Sequence, residues 1–240
     1  MQLRAEDIRV AQLYERSIER LNIDANASAS TSTLLGDKRR KSWRFGSTLK
    51  RIFDVVFSIS AIIALAPIML VIAALVKTDS RGPVLFKQRR NGLNDEIITV
   101  WKFRSMSVLE NGETVTQATR NDPRVTRVGA VLRKYSLDEL PQFFNVLLGT
   151  MSVVGPRPHA VSHNEEFVHL VPNYAMRHEV KPGITGLAQV SGARGETDTL
   201  DKMALRIAYD IEYIRNWSLK LDVQIIIKTV LQAVKCDNVY

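Results

Sequence analysis

Cysteine is almost absent from this 240-residue chain, with Cys236 the one example. A lone thiol excludes an intrachain disulfide framework and supplies no cysteine pair for a metal, which favours a reducing compartment. Helix-turn-helix patterning, zinc-ligand spacing and aromatics interleaved with basic residues are missing too, so nucleic acid is not an expected partner. There is no internal repeat, and the first twenty residues mix Arg, Glu and Asp, so no signal peptide is expected. Acidic charge is the minority: 33 Lys and Arg against 25 Asp and Glu give a net charge of +8 and a pI near 9.7. With nucleic acid set aside, that balance suits anionic lipid or a phosphorylated substrate. A hydrophobic content of 45% is enough for one sizeable core plus an N-terminal extension.

Ile8, Ala11, Tyr14, Ile18 and Leu21 recur at helical spacing, predicting an N-terminal amphipathic helix within residues 1 to 23 that packs on the domain, pairs with a partner helix or stays solvated. Small polar residues and then basic ones make 24 to 47 a flexible basic linker. An uncharged stretch from 55 to 76 follows, flanked by Lys50 and Arg51 before it and Lys77 and Arg81 after it. About twenty apolar residues suffice to span a bilayer. A simple span carries its basic flank on the cytoplasmic side only, yet here both flanks are basic, and Pro67 interrupts the middle. Residues 48 to 80 are therefore expected to form a re-entrant membrane helix with its break at Pro67, in preference to a kinked span or a buried core helix. Each arm would reach only about 16 Å.

The chemistry is expected in RKYSLDELPQFFNVLLGTMSVVGPRP, residues 133 to 158. Asp138 and Glu139 are adjacent carboxylates at a helix start, with Arg133 and Lys134 before them and Arg157 after. Ser136 and Glu139 fit a capping box, and Leu140, Phe143, Phe144, Leu147 and Leu148 predict a buried helical face. The positive end of a helix dipole keeps a carboxylate ionised and attracts phosphate. Two prolines fix the backbone around Arg157, whose fork suits a pair of phosphate oxygens. On its own, a helix cap with ordinary first-turn acids explains the same residues.

Short strands are predicted at 84 to 88 and 97 to 103, joined through Asn91-Gly92, with Lys102 and Arg104 on one side of the second. Either they make a solvated face or something anionic meets them. His159, His163 and Glu166 have a helical metal-site spacing but no third histidine. Residues 181 to 186, opening at Lys181, predict a tight, backbone-exposed loop, followed by Arg194 and Glu196 in a glycine-rich turn, and these serve either binding or core turn chemistry. A helix over 200 to 217 buries Met203, Ile207, Ile211 and Ile214, with Asp210 beside that face. A last helix capped by Asp222 carries Val223, Ile226, Ile227, Val230 and Val234 on one side and suits a membrane interface as well as a core.

KRIFDVVFS (50 to 58), PVLFKQRRNGLN (83 to 94), WKFRSM (101 to 106), residues 121 to 161 and KPGITGLAQVSGARGETDTL (181 to 200) together resemble the bacterial sugar transferase family, the monotopic phosphoglycosyl transferases. The similarity runs over about residues 48 to 240, and PRPHAVSHNE and RGETDTLDKM are closest to undecaprenyl-phosphate glucose phosphotransferases. Many relatives carry an N-terminal bundle of membrane helices; this chain resembles the short, single-anchor members. Ala66 and Ser105 depart mildly from the common serine and threonine. The resemblance implies an α/β (α+β), mostly helical fold: a re-entrant membrane helix and, over 81 to 240, a cytoplasmic catalytic domain with a small sheet and interfacial amphipathic helices. It implies transfer of a sugar 1-phosphate from a UDP-sugar to undecaprenyl phosphate with Mg2+, releasing UMP, at the cytoplasmic face of a bacterial inner membrane, among membrane lipids and with room for a homo-oligomer. Asp138 would be the nucleophile and Glu139 a metal ligand or proton carrier, the metal being held by Asp138 or Glu139. Lys102, Arg104, Arg133, Arg157, Lys181, Arg194 and Asp210 would bind substrate or phosphate. Galactose 1-phosphate in place of glucose 1-phosphate, or a non-catalytic scaffold for polysaccharide assembly, are the alternatives.

Overall fold

The computed structural model describes residues 48 to 107, 122 to 195 and 199 to 235; the helix and linker expected over 1 to 47 and Glu196 lie outside them. Helix α1, Thr48–Asp79, is 32 residues long and therefore about 48 Å end to end if straight. The expected break at Pro67 is not a gap in the helix: helical structure continues through it. Proline removes one N–H donor and crowds one carbonyl, and the turns on either side keep their own hydrogen bonds.

Both ends of α1 are fastened to the same body. At its start, Lys50 pairs with Asp222 at 2.7 Å, and Arg51 donates to the carbonyls of Val146 and Leu147 at 2.6 and 2.8 Å. One turn on, the buried Asp54 carboxylate accepts from Ser152 Oγ and the Val153 amide, each at 3.0 Å. At the far end, Ile72 and Val76 pack with Phe103 and Leu132. There Arg104 donates to the carbonyls of Val76, Ser80 and Arg81 at 3.1, 2.6 and 3.0 Å, a cation on the negative end of the helix. Between these anchors, residues 59 to 71 include no buried side chain, and Ile63 and Leu70 are 70% and 71% exposed.

A hairpin follows: β1, Leu85–Asn91, pairs antiparallel with β2, Ile97–Phe103, in the register Leu85 to Phe103 and Asn91 to Ile97. Its tip is a 3-10 turn in which Asn94 and Asp95 take left-handed backbone. Helix α2, Arg127–Lys134, is capped by Thr126, whose hydroxyl accepts from the Gly129 amide at 3.0 Å. Helix α3, Gln142–Leu148, buries Gln142, Asn145 and Val146. This differs from the face expected from apolar spacing: Phe143, Phe144 and Leu147 are half-buried and Leu148 is 66% exposed. The reason is that Asn145 bridges the hairpin, accepting from the Trp101 amide at 2.9 Å and donating to the Thr99 carbonyl at 2.7 Å. Two backbone bonds to a buried amide outweigh the burial of one leucine.

Strand β3, Ser152–Val154, pairs parallel with β4, Gly183–Thr185, so residues 183 to 185 form buried sheet and not the exposed loop expected there. The two chains touch where Gly155 meets Gly183: a Cβ on either would strike the other strand's backbone. Helix α4, Val161–Phe167, is followed by a 3-10 segment, Tyr174–Glu179. After the short α5, Leu187–Val190, helix α6, Leu200–Arg215, starts at its Thr199 cap and buries the predicted Met203, Ile207, Ile211 and Ile214. Val100, Val146, Met151, Val154, Tyr213 and Ile225 make the central core.

Helix α7, Leu219–Lys235, is capped by Ser218, not Asp222: the Ser218 hydroxyl accepts from the Leu221 amide at 3.2 Å. Asp222 is instead fully buried and accepts from Lys50, Tyr213 Oη at 2.7 Å and Trp217 Nε1 at 3.1 Å. The opposite side of α7 exposes Val223, Ile227, Val230 and Leu231. An apolar face left uncovered on this scale suits a membrane interface.

Asp222→Ala strips three donors of their acceptor, and unfolding free energy is expected to fall by about 3 kcal/mol. Thermal unfolding followed by circular dichroism checks this, with Val223→Ala expected within about 0.5 kcal/mol of the parent.

Candidate active site

Asp138 and Glu139 sit in a tight 3-10 turn, Leu137–Glu139, between α2 and α3. The expected capping box is not formed: Ser136 takes a left-handed backbone, φ 56°, and its side chain caps nothing. Its hydroxyl accepts from Arg194 Nη2 at 2.6 Å instead. The left-handed Ser136 opens the turn, and Glu139 at its end reaches Lys102 on the hairpin and Arg157 after β3.

The two acids then part company. Glu139 is gripped by Lys102 Nζ at 2.9 Å and by both arms of Arg157, at 2.5 and 3.0 Å. Burial pushes its carboxyl up, but the charges and hydrogen bonds of Arg157 and Lys102 outweigh that and hold it well below the usual carboxylate range. Asp138, the more buried of the two, accepts no hydrogen bond from a described residue. Burial raises its pKa, Glu139 raises it further, and the more distant charges of Lys102, Arg133 and Arg157 offset only part. Arg90 completes the cation set: it lies near Glu139 and Arg157, and burial with the neighbouring Arg157 charge lowers its pKa to about 10. Lys102 is lowered by burial and by the same arginines. The result is four cations around two acids, one acid fully paired and the other unoccupied, a setting that attracts phosphate oxygens.

Of the residues singled out in the sequence, Asp138, Glu139, Lys102, Arg133 and Arg157 are brought together, and Arg194 reaches the turn through Ser136. Arg104 is not among them. The strand ends at Phe103, so the alternation that would place Arg104 beside Lys102 stops there, and it closes the end of α1. Lys181 stands by Gly149 and Arg51 near the start of α1. Asp210 is buried in α6, paired with Arg177 at 3.0 Å. His159 lies ahead of α4 and contacts Tyr174, and Glu166 is exposed; no cluster of three His, Cys, Asp or Glu exists among the described residues. Arg90 and Arg177 were missed. Both look like ordinary surface cations in the sequence, and only the fold turns them inward.

A family model described as "Bacterial sugar transferase" matches residues 45 to 236. The chain belongs to the bacterial sugar transferase family. Among bacterial sugar transferases and related proteins, it is 62% identical over 183 residues to the UDP-glucose:undecaprenyl-phosphate glucose-1-phosphate transferase of Klebsiella pneumoniae, covering 76% of this chain and 39% of that one. The protein of the same description from Escherichia coli K12 is 56% identical, over 77% of this chain and 40% of its own. The exopolysaccharide production protein PSS of Rhizobium leguminosarum bv. phaseoli is 52% identical, over 76% and 94%. The chain thus spans about two fifths of the first two relatives.

Because the Glu139 charge adds to burial in raising the Asp138 pKa, Glu139→Gln should let Asp138 titrate at lower pH, with Lys102, Arg133 and Arg157 then opposed by burial alone. The carboxyl 13C shift of Asp138 followed against pH reads this directly; an unchanged or higher midpoint contradicts it.

Proposed function

We propose that this bacterial sugar transferase moves a sugar 1-phosphate, glucose 1-phosphate in the first instance, from a UDP-sugar to undecaprenyl phosphate, as an early membrane step of exopolysaccharide assembly. The observation that carries the reading is the division of labour between the acids: a buried, unbonded Asp138 beside a Glu139 locked to Lys102 and Arg157. Relatives named for glucose-1-phosphate transfer at 62% and 56% identity support the donor and acceptor.

An Asp138 oxygen attacks the sugar-bearing phosphorus, and the P–O bond to UMP breaks with its electron pair leaving on UMP. The acyl phosphate so formed is reactive enough to pass the group on. A phosphate oxygen of the lipid then attacks the same phosphorus, forming the diphosphate lipid and returning the Asp138 carboxylate. Arg157, Lys102, Arg133 and Arg90 surround the place where the diphosphate charge must be carried, and Glu139 fixes the first two. Mg2+ takes one or two carboxylates and completes its shell with phosphate oxygens and water; Asp138 would offer it a carboxylate, whereas both Glu139 oxygens are already engaged by Lys102 and Arg157. Bound there, the ion would neutralise diphosphate charge.

The same reading makes α1 re-entrant at the cytoplasmic face. Lys50, Arg51 and Asp54 at one end and Val76 with the carbonyls of Ser80 and Arg81 at the other meet one catalytic body. A helix that crossed the bilayer would have ends about 30 Å apart on opposite sides, where one domain could not hold both. Exposed apolar residues on α7, Leu148 and the middle of α1 would then meet lipid. A 44% identical relative described as a UDP-N-acetylgalactosamine-undecaprenyl-phosphate N-acetylgalactosaminephosphotransferase, from Aeromonas hydrophila, makes the donor sugar the variable part of the reading.

Purified protein in nanodiscs with Mg2+ and undecaprenyl phosphate is expected to release UMP fastest from UDP-glucose in a panel with UDP-galactose and UDP-N-acetylgalactosamine; release from none of them rejects the activity. Asp138→Asn should lower turnover by at least about 1000-fold and abolish the labelled protein adduct. Because the Asp138 pKa is raised, adduct formation in the parent should climb with pH through a limb above the ordinary aspartate range. For topology, Thr48→Cys and Arg81→Cys, each in a Cys236→Ser background, should react with an impermeant maleimide from the same side of sealed vesicles, and labelling from opposite sides would rule out re-entry.

A further inference from the structure

The segment that carries Arg157 is held by its backbone to an unusual degree. Three successive carbonyls are occupied from outside: that of Arg157 by Arg177 Nη2 at 2.6 Å, that of Pro158 by Arg90 Nη1 at 2.7 Å, and that of His159 by the Asn91 amide at 3.3 Å. Arg177 is 3% exposed and paired at 3.0 Å with Asp210, itself 2% exposed. Arg177 Nη1 lies against the His159 ring and Tyr174 Oη. A buried ion pair is seldom worth more to stability than an apolar pair of the same size, because desolvation offsets the attraction. Its geometry here has a direction: Arg177 Nη2 faces both Asp210 on α6 and the main-chain carbonyl of the residue whose side chain grips Glu139.

We infer that Arg177, charge-balanced by Asp210, is a positioning residue: it fixes the Arg157 carbonyl so that the Arg157 guanidinium is delivered to Glu139 and to the substrate phosphate. The role in turnover rests on the transfer reaction proposed above; the positioning itself does not. Arg177 touches no acid of the reacting pair. Its effect passes through one carbonyl, and a displacement of the order of 1 Å at a phosphate-binding fork is costly to a reaction that depends on alignment.

The test uses the full chain in nanodiscs, with Arg177→Lys, Asp210→Asn, Arg157→Lys and the double variant Arg157→Lys/Arg177→Lys. Lysine keeps the charge beside Asp210 but loses the fork. Hydrogen exchange should quicken at least tenfold at the amides of Gly155, Arg157, His159 and Ala160, the non-proline residues of 155 to 160, in Arg177→Lys, with the amides of α7 unchanged. In turnover, Arg177→Lys should lower kcat at least tenfold with KM for UDP-glucose within threefold, and should cost less than threefold when Arg157 is already lysine, since its route of action is then gone. Exchange at 155 to 160 equal to that of the parent overturns the inference whether or not the protein turns over UDP-glucose. So does an equal loss in both backgrounds, or a double variant without measurable UMP release. If Arg177→Lys does not fold, Asp210→Asn, which leaves Arg177 unbalanced, carries the same two readings. Absence of UMP release by the parent sinks the transferase reading, while the exchange arm still decides the positioning.

Discussion

The ion-pair cluster in which Lys102 and Arg157 converge on Glu139 is the constraint on which the site depends. It ties the hairpin, the turn after α2 and the segment after β3 into one unit. It also separates two chemically similar neighbours. A carboxylate with both oxygens engaged is a poor nucleophile and a good strut, whereas one buried without a hydrogen bond has its lone pairs available and its charged form destabilised. Two adjacent acids given such different surroundings take different roles, and the difference comes from tertiary contacts more than from the local sequence.

Positive charge is divided in a comparable way. Arg51 closes the carbonyl end of α3 and Arg104 closes that of α1, so both are consumed by backbone. Arg90 and Arg177 hold successive carbonyls beside Arg157. Only part of the chain's excess of cations therefore faces the place where phosphate would bind. A net charge read from composition overstates the field there, and the surplus that is spent on helix ends instead fixes the geometry.

What the sequence disclosed follows from how local each signal is. The apolar length of α1, the pairing of the two hairpin strands, the buried face of α6 and the Asp138, Glu139, Arg157 grouping are legible, because periodicity and charge pattern report directly on them, whereas the hairpin turns at Asn94 and Asp95 and Asn91 still belongs to β1. The errors arose where a distant partner overrode a local preference. Ser136 gives up the cap to a left-handed turn that Arg194 meets; Asn145 takes the inside of α3 and leaves Leu148 outside; Asp222 sinks beneath Lys50, Tyr213 and Trp217 while Ser218 caps α7. Arg104 departs from the strand alternation because β2 ends one residue before it. Asp210 and Arg177 look like surface charges until α6 and the 174 to 179 segment are packed together.

The uncovered middle of α1 has a mechanical consequence on the re-entrant reading. Residues 59 to 71 would lie among the acyl chains of one monolayer only, because the anchors at 50 to 54 and 76 to 81 return the chain to the surface it left. A wedge of this kind adds cross-sectional area to one monolayer and none to the other, so the bilayer beneath it is under asymmetric lateral pressure. Insertion would then be easier where the cytoplasmic monolayer already bulges outward or has loosely packed lipid, and crowding of such wedges would itself bend the sheet.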